Sequence, residues 1–254
     1  MSEVAGRPAR IEVRGLAMTS RGEIVQSGLD FQVAPRSIFA ITGDSGSGKS
    51  LLMRHMVGLH RPAAGDVMFD GESFWAGTDA ERERLRRRFG VVFQGAVLVS
   101  SMTLLENVAV KLRTNTSLSG ADADEVAALK LAVMGLRGYE RYYPSQVTEG
   151  VKTRAALARA TSLDPEILFF DDPSAGLDPL AARRIDDIIL GLRDAMGATI
   201  VLASYDLPSV FALADDAVFL DSERKTMIAR GRPEELRDRC EDPKVRAFLT
   251  RGRL

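Results

Sequence analysis

The sequence has few of the residues on which several kinds of functional site depend. It contains one cysteine, Cys240, and two histidines, His55 and His60, which lie close together. A single cysteine excludes an intramolecular disulfide framework and a cysteine-rich zinc site, and it fits a reducing compartment. The positions of the two histidines exclude any chemistry that needs a histidine elsewhere in the chain.

Long apolar runs are also absent. The longest are of the kind found at residues 167–170 and 217–220, far shorter than the roughly 20 residues that cross a bilayer. Residues 1–10 are polar, and no apolar stretch precedes a small-residue cleavage site, so they lack the pattern of a secretory signal. We therefore expect a chain that does not cross a membrane and that lies in the cytoplasm.

The chain has no excess of charge of either sign. It carries 34 Lys and Arg residues against 35 Asp and Glu residues. This balance disfavours a protein that binds nucleic acid through bulk positive charge, so we expect no nucleic-acid partner. With 45% hydrophobic and 27% charged residues, the composition is that of an ordinary globular protein, and 254 residues are enough to bury an extensive core.

Short apolar runs alternate with helical patterns along the chain, which predicts an α/β domain with a largely parallel sheet. Residues 37–42, 167–170 and 199–203 are apolar almost throughout, as is typical of central strands that are buried on both faces. Residues 180–196 carry isoleucine and leucine at helical spacing, which predicts a crossover helix with one buried face.

The remaining segments differ from this central pattern. Residues 10–33 and 67–72 have short alternating runs with glycine turns, which predicts an antiparallel sheet at one edge. An alanine- and leucine-rich block without strand runs predicts a helical subdomain at about residues 100–163. Residues 233–254 predict a tail of two short helices, docked on the body or on a partner. No linker interrupts the chain, so we expect a single domain over residues 1–254.

Residues 43–50 read GDSGSGKS and fit the phosphate-loop pattern, with a strand before them and a helix after them. Glycines in such a loop let backbone N–H groups turn toward a phosphate, and the helix adds its positive N-terminal end. We expect Lys49 to reach the β- and γ-phosphates and the Ser50 hydroxyl to bind Mg²⁺. The predicted nucleotide-binding loop consists of Gly43, Asp44, Ser45, Gly46, Ser47, Gly48, Lys49, Ser50 and Leu51.

Two further motifs follow the phosphate loop. Gln94 ends a short apolar strand, and Asp171 and Asp172 end the strand at residues 167–170. A carboxylate in such a place can hold Mg²⁺ through water, as Asp171 would. Together with the turn at residues 174–178, these motifs in this order resemble the ATP-binding subunit of an ABC transporter. The resemblance covers nearly the whole chain.

The resemblance implies an ABC-type nucleotide-binding domain of the P-loop NTPase fold. Two such subunits, either two copies or this chain with a paralogue, would hold two ATP molecules between them. Each ATP would lie between the phosphate loop of one subunit and the signature helix of the other. Mg²⁺ would be bound by Ser50, Gln94 and Asp171, Gln94 would report to an integral-membrane permease, and Asp178 would lie on the dimer axis.

Within this family, the chain most resembles the lipid-handling Mla/Mce branch. The segments that carry this similarity are residues 103–108, 133–136 and 242–249. Amino-acid importers share the same domain and are the alternative. The branch implies a subunit on the inner face of the cell membrane, attached through its permease, with a small regulatory subunit as a further partner.

Two departures from the family pattern concern hydrolysis. The family has a glutamate after the magnesium aspartate, where this chain has Asp172, and a switch histidine where this chain has Tyr205. Asp172 is one methylene shorter, and misplacing a catalytic group by about 1 Å can cost on the order of 100-fold in rate. We therefore expect slow hydrolysis with Asp172, Gln94 and Tyr205 as catalytic residues. The alternative is a non-hydrolysing module that uses ATP to hold a dimer together.

A third departure is in the signature, where the family has Leu-Ser-Gly-Gly-Gln and residues 147–151 read Val-Thr-Glu-Gly-Val. Thr148 and Gly150 keep a hydroxyl and a glycine. Glu149 would face the partner's γ-phosphate, where each pair of like charges at about 4 Å costs about 4 kcal/mol at an effective dielectric constant of 20. Alternatively, Glu149 is an ordinary acidic residue that the helix N-terminus stabilises.

The fourth departure concerns the base. The family stacks adenine on an aromatic residue of the first strand, and the corresponding residue here is Met18. Methionine can cover a ring face, although less rigidly than an aromatic side chain. The resemblance therefore implies that Met18, Thr148, Glu149 and Gly150 contact the nucleotide.

Overall fold

The computed structural model describes residues 10–251, which contain ten strands and nine α-helices. Residues 1–9, on which the expectation about a secretory signal mainly depends, and residues 252–254 of the predicted tail lie outside this range. The strands are β1 (Ile11–Ser20), β2 (Glu23–Val33), β3 (Ile38–Gly43), β4 (Ala64–Phe69), β5 (Glu72–Ser73), β6 (Phe89–Val92), β7 (Ile167–Asp171), β8 (Thr199–Ala203), β9 (Asp216–Asp221) and β10 (Thr226–Gly231). The helices are α1 (Lys49–Met56), α2 (Asp79–Arg86), α3 (Leu104–Asn115), α4 (Gly120–Val133), α5 (Glu149–Ala160), α6 (Pro179–Met196), α7 (Leu207–Leu213), α8 (Pro233–Arg239) and α9 (Pro243–Thr250).

The central sheet has six strands in the order β10-β9-β3-β8-β7-β6. Strands β6, β7, β8, β3 and β9 are parallel, and β10 is antiparallel to β9. Every residue of β3, β7 and β8 is buried, as their apolar sequences predict. The order brings the carboxyl ends of β3, β7 and β8 to one edge of the sheet, where the predicted site residues follow each strand.

Both faces of the central sheet are covered. In β7, Leu168 and Phe170 enter a core that includes residues of α3, α4, α5 and α6, whereas Ile167 and Phe169 enter a core shared with α1 and the second sheet. Successive side chains of a strand point to opposite faces of the sheet. A strand with apolar residues on both faces therefore needs an apolar layer on each side of the sheet. The predicted crossover helix is α6, which buries Ile185 and other residues at helical spacing.

The second sheet is antiparallel, with the order β2-β1-β4-β5. It contains the two segments whose alternating patterns predict an antiparallel sheet. Its strands alternate between buried and exposed residues, and the buried residues of β1 include Ile11 and Val13. This sheet and α1 pack against the same face of the central sheet and share one apolar core with it.

The predicted helical segment at about residues 100–163 contains α3, α4, α5 and a 3-10 turn at Pro144–Gln146. A capping box starts α3: the Thr103 hydroxyl accepts a hydrogen bond from the Glu106 N–H, and the Glu106 carboxylate accepts one from the Thr103 N–H. The helices bury apolar residues such as Leu112, Leu131 and Leu157 in one core.

The C-terminal helices α8 and α9 pack on the body of the chain, which settles where the predicted tail docks. Leu236 of α8 and Val245 and Leu249 of α9 form a small apolar core with Val210 and Phe219. Among residues 10–251, no helix is both long enough and apolar enough to span a membrane.

Candidate functional site

The phosphate loop connects β3 to α1, and its glycines occupy positions that a side chain would disturb. Gly43 and Gly48 have positive φ angles of 141° and 90°. A Cβ at Gly43 would lie 2.1 Å from the carbonyl oxygen of Leu220, and one at Gly48 would lie 2.9 Å from Cγ1 of Val25. The chain therefore needs glycine at both ends of the loop to pass this close to β9 and β2.

The inner side of the loop is attached to the second sheet by Gln26, which the sequence did not single out. The Gln26 amide nitrogen donates to the carbonyl oxygens of Ser47, at 2.8 Å, and Asp221, at 2.9 Å. Gln26 and Ser47 are fully buried, and Leu51 packs against the core between the sheets. A glutamine in an alternating strand carries no sequence signal for this role, because only the fold brings it to the loop.

Lys49 lies inside the loop. Its Nζ donates to the carbonyl oxygens of Gly43, at 2.9 Å, and Asp44, at 2.8 Å. Burial lowers the pKa of Lys49, and the carboxylates of Asp172, Asp44 and Asp171 oppose this change. A half-buried cation surrounded by backbone dipoles is well placed to bind phosphate oxygens.

Ser50 and Asp171 offer two oxygens suited to a hard cation. The Ser50 hydroxyl donates to Oδ1 of Asp171 at 2.8 Å, and Gln94 lines the same cavity. Burial raises the pKa of Asp171, and a cation would oppose that change. Among residues 10–251, no group of three or more His, Cys, Asp or Glu residues could hold a metal ion. The donor set fits Mg²⁺, which uses one or two carboxylates together with water and substrate phosphates.

Asp172 follows β7 in a left-handed conformation with a φ of 49°. It is 7% exposed, and the Ser204 hydroxyl donates to its Oδ1 at 3.2 Å. Burial, together with the nearby carboxylates of Asp171 and Asp206, raises the pKa of Asp172 to about 6, although the Ser204 hydrogen bond and Lys49 act in the opposite direction. A carboxyl group with this pKa can accept a proton near neutral pH.

One cavity of about 490 Å³ brings most of the predicted residues together. Tyr205, which is 57% exposed, also lines this cavity and lies two residues after the end of β8. Three lining residues were not predicted as part of the site: Ala203 at the end of β8, Ser204, which holds Asp172, and Phe248, which comes from α9. The predicted residues that line the cavity are Gly43, Ser45, Gly46, Lys49, Ser50, Gln94, Asp171, Asp172 and Tyr205.

The signature residues lie elsewhere in the chain, at the start of α5. Thr148 and Gly150 line a separate cavity of about 180 Å³ together with Asp178, which caps α6. The Glu149 carboxylate is mostly exposed and accepts a hydrogen bond from Nζ of Lys152 at 2.6 Å. A single chain therefore contributes the phosphate-loop residues and the signature residues to two different cavities.

Met18 is not placed where it could stack on a base, contrary to the expectation. Its side chain is fully buried in the core between the sheets. Its methyl group lies 3.3 Å from the position that a Cβ on Gly48 would take, so it supports the end of the loop from within. A side chain without exposed surface offers no face to a planar ligand. The expectation that Met18 stacks on the base was wrong because the position of a residue in the first strand does not show which face of β1 is covered.

Comparisons with known proteins agree with this geometry. A sequence model described as ABC transporter matches residues 26–175. The intermembrane phospholipid transport system ATP-binding protein MlaF of Escherichia coli is 34% identical over 239 residues, which is 94% of this chain and 88% of that protein. The chain belongs to the ABC transporter family. The expected resemblance to the Mla/Mce branch is confirmed by the same match.

A second relative and two solved structures are also similar to this ABC transporter family chain. The probable ribonucleotide transport ATP-binding protein mkl of Mycobacterium tuberculosis is 31% identical over 96% of this chain and 67% of that protein. The structure of cbiO1 from Clostridium perfringens, part of the ABC transporter complex cbiONQ, has a TM-score of 0.81 at 24% identity and covers 96% of this chain and 97% of that chain. A dimeric bacterial ABC transporter cassette has a TM-score of 0.79 at 25% identity, over 87% and 98% of the two chains. The ABC-type fold expected from the motifs is confirmed.

Proposed function

We propose that this chain is the ATP-binding subunit of an ABC transporter and that it binds and slowly hydrolyses Mg-ATP. The observation that carries the proposal is the single cavity in which the phosphate loop, Lys49, Gln94, Asp171 and Asp172 meet. Phosphoryl transfer depends mainly on positioning and on electrostatic stabilisation of the phosphates, and these groups supply both.

In the proposed reaction, the loop N–H groups and Lys49 hold the β- and γ-phosphates. Ser50, Asp171 and Gln94 would hold Mg²⁺, which neutralises charge on the phosphate oxygens when it is bound. Asp172 orients the attacking water and accepts its proton, and Ser204 fixes the carboxylate that does so. The Tyr205 hydroxyl donates a hydrogen bond to the γ-phosphate, at the position where the family has a histidine.

The separation of the two cavities supports a dimer in which two chains complete each site. Thr148, Glu149 and Gly150 of one chain would then face the phosphate loop of a second copy or of a paralogue. The structural likeness to a dimeric cassette is consistent with this arrangement. The permease would hold the dimer on the inner face of the cell membrane, and a small regulatory subunit is a further partner in this proposal.

We propose a lipid as the transported substrate. The support is the identity with MlaF, a phospholipid transport protein by name, over 94% of this chain. The relative mkl is named for ribonucleotide transport, so the substrate class needs a direct measurement. Mass spectrometry of the purified membrane complex should find enriched phospholipid, and enriched ribonucleotide without lipid would contradict this part of the proposal.

Nucleotide binding by the purified chain tests the proposal as a whole. We expect a fluorescent ATP analogue to bind in the presence of Mg²⁺ and Lys49→Ala to abolish this binding, because the loop loses its cation. Lys130→Ala is the matched control, since Lys130 pairs with Asp164 away from the loop. Failure of the wild type to bind, or equal binding by Lys49→Ala, would overturn the proposal.

A second candidate function is a non-hydrolysing module that uses ATP only to dimerise, which the short side chain of Asp172 and the phenol of Tyr205 favour. Phosphate release by the wild type and by the double variant Asp172→Glu with Tyr205→His separates the two functions. Slow but measurable release by the wild type, abolished by Lys49→Ala, supports a hydrolase. Release by the double variant alone supports the non-hydrolysing module.

A further inference from the structure

The C-terminal helix α9 contacts the phosphate loop. It lies largely in the segment 242–249 that carries the resemblance to the Mla/Mce branch, although the nucleotide-binding motifs do not include it. Nζ of Lys244 lies 2.8 Å from Oδ2 of Asp44 in the loop and 3.0 Å from Oδ2 of Asp221 at the end of β9. One turn later, Phe248 lines the nucleotide cavity and packs edge-on against Phe219, with ring centroids 5.0 Å apart. Helix α9 therefore supplies both a cation and an apolar wall to the site.

Asp44 needs this cation because it places a carboxylate in a loop that must accept a polyanion. Among residues 10–251, Lys244 is the one cation with a nitrogen within 4 Å of the Asp44 carboxylate, and the Ser222 hydroxyl is a weaker contact at 3.4 Å. The side chains of Asp44 and Lys244 are 25% and 29% exposed, so water and salt screen their charges incompletely. Without Lys244, the Asp44 charge would repel bound phosphates.

The position of Lys244 is fixed from both sides. Asp242 caps α9 by accepting the Lys244 N–H at 2.9 Å, and Nη1 of Arg224 holds the other Asp242 oxygen at 2.7 Å. Asp221 is 1% exposed and uses Oδ1 to accept the N–H groups of Glu223 and Arg224, which leaves Oδ2 for Lys244. The ammonium group is thus held between a buried carboxylate and the loop.

We propose that Lys244 is a positioning residue of the nucleotide site, which neutralises Asp44 and holds the phosphate loop in the conformation that accepts a triphosphate. This inference rests on the proposed binding of ATP at the loop. Through Lys244, helix α9 contributes directly to the affinity of the loop for the nucleotide. The part played by Lys244 in stability, through Asp221, is separate from its part in binding, through Asp44, and the two can be measured separately.

The test compares the affinities for Mg-ATP and Mg-ADP of the full chain with those of Lys244→Met, Asp44→Asn and the double variant. We expect Lys244→Met to weaken ATP binding about tenfold, equivalent to about 1.4 kcal/mol, and to weaken ADP binding less because ADP carries less negative charge. Adding Asp44→Asn should restore ATP affinity, since it removes the unbalanced charge. Lys244→Arg should keep the wild-type affinity, and Lys130→Met is the control.

Thermal unfolding separates this role from simple packing. Lys244→Met should lower the Tm, and Asp44→Asn should not restore it, because the buried Asp221 carboxylate is still unpaired in the double variant. The inference is overturned if Lys244→Met binds ATP like the wild type, or if its lost affinity is not restored by Asp44→Asn in a folded protein. If the wild type itself does not bind ATP, the proposed function on which the inference rests is overturned instead.

Discussion

The phosphate-loop half and the signature half of the site differ in how much of their surroundings one chain supplies. The loop is held by Gln26 from β2, by the Ser50 contact with Asp171 from β7 and by Lys244 from α9. Within residues 10–251, the side chains of Thr148 and Glu149 make no such hydrogen bond or ion pair to another element: Thr148 makes no capping hydrogen bond, and Glu149 pairs with Lys152 of its own helix. The phosphate-loop half is preorganised within the chain, whereas in the proposed dimer a second chain would complete the signature half.

The largest effect should come from the preorganised half, at Asp172. We expect Asp172→Asn to reduce ATP hydrolysis at least about 100-fold, because an amide cannot accept the proton of the attacking water. Since the pKa of Asp172 in the nucleotide-free chain is raised to about 6, kcat/KM of the wild type, which reports the free enzyme, should fall as the pH drops through about 6. Steady-state phosphate release measured between pH 5 and 8 checks both expectations.

The same substitution has an opposite effect on stability, which serves as its control. Burial raises the folded pKa of Asp172 above the ordinary value of 3.8, so the folded state holds a proton that the unfolded state releases between pH 4 and 6. Stability therefore falls as the pH rises through this window. Asp172→Asn should raise the free energy of unfolding by about 3 kcal/mol at pH 7.5 and leave it nearly unchanged at pH 4. An equal effect at both pH values would show that the charge of Asp172 is not responsible.

The two halves also differ in how well the sequence predicts them. The phosphate loop, Gln94, Asp171 and Asp172 were predictable because each follows a strand of a parallel sheet, and the sheet brings the strand ends together. Ser204 follows β8 and carries the same signal, whereas Gln26 and Lys244 were not predictable. Each of the latter two reaches the site through a contact between segments distant in the sequence, and no local pattern marks it. The central strands were predictable for a different reason, since their apolar runs depend on burial alone.

A smaller effect is expected in the signature half, at Glu149 and Lys152. Because Lys152 neutralises Glu149 at 2.6 Å, Glu149→Gly should strengthen ATP-dependent dimerisation only about threefold. Lys152→Met should weaken it by more, since it leaves Glu149 unpaired toward the partner's phosphates. Sedimentation velocity with an ATP analogue measures both variants, and nucleotide binding to the monomer should not change. Weaker dimerisation of Glu149→Gly would mean that the carboxylate stabilises the helix N-terminus without opposing the phosphate.

The smallest effect should come from a volume-conserving substitution at Met18, which is buried beneath the loop. Met18→Leu conserves volume in a packed core, so we expect the free energy of unfolding to change by less than about 1.5 kcal/mol. The ratio of ATP to GTP affinity should remain that of the wild type, because no exposed part of residue 18 faces a base. Competition binding with the two nucleotides gives this ratio directly.

Met18→Ala separates support of the loop from contact with the base. It should lower the free energy of unfolding by about 2 to 5 kcal/mol through the cavity that it leaves. It should weaken ATP and GTP binding by the same factor, because a less well supported loop affects the phosphates that both nucleotides share. A selective loss of ATP affinity in Met18→Ala would mean that Met18 reaches the adenine after all, and that the first strand moves when nucleotide binds.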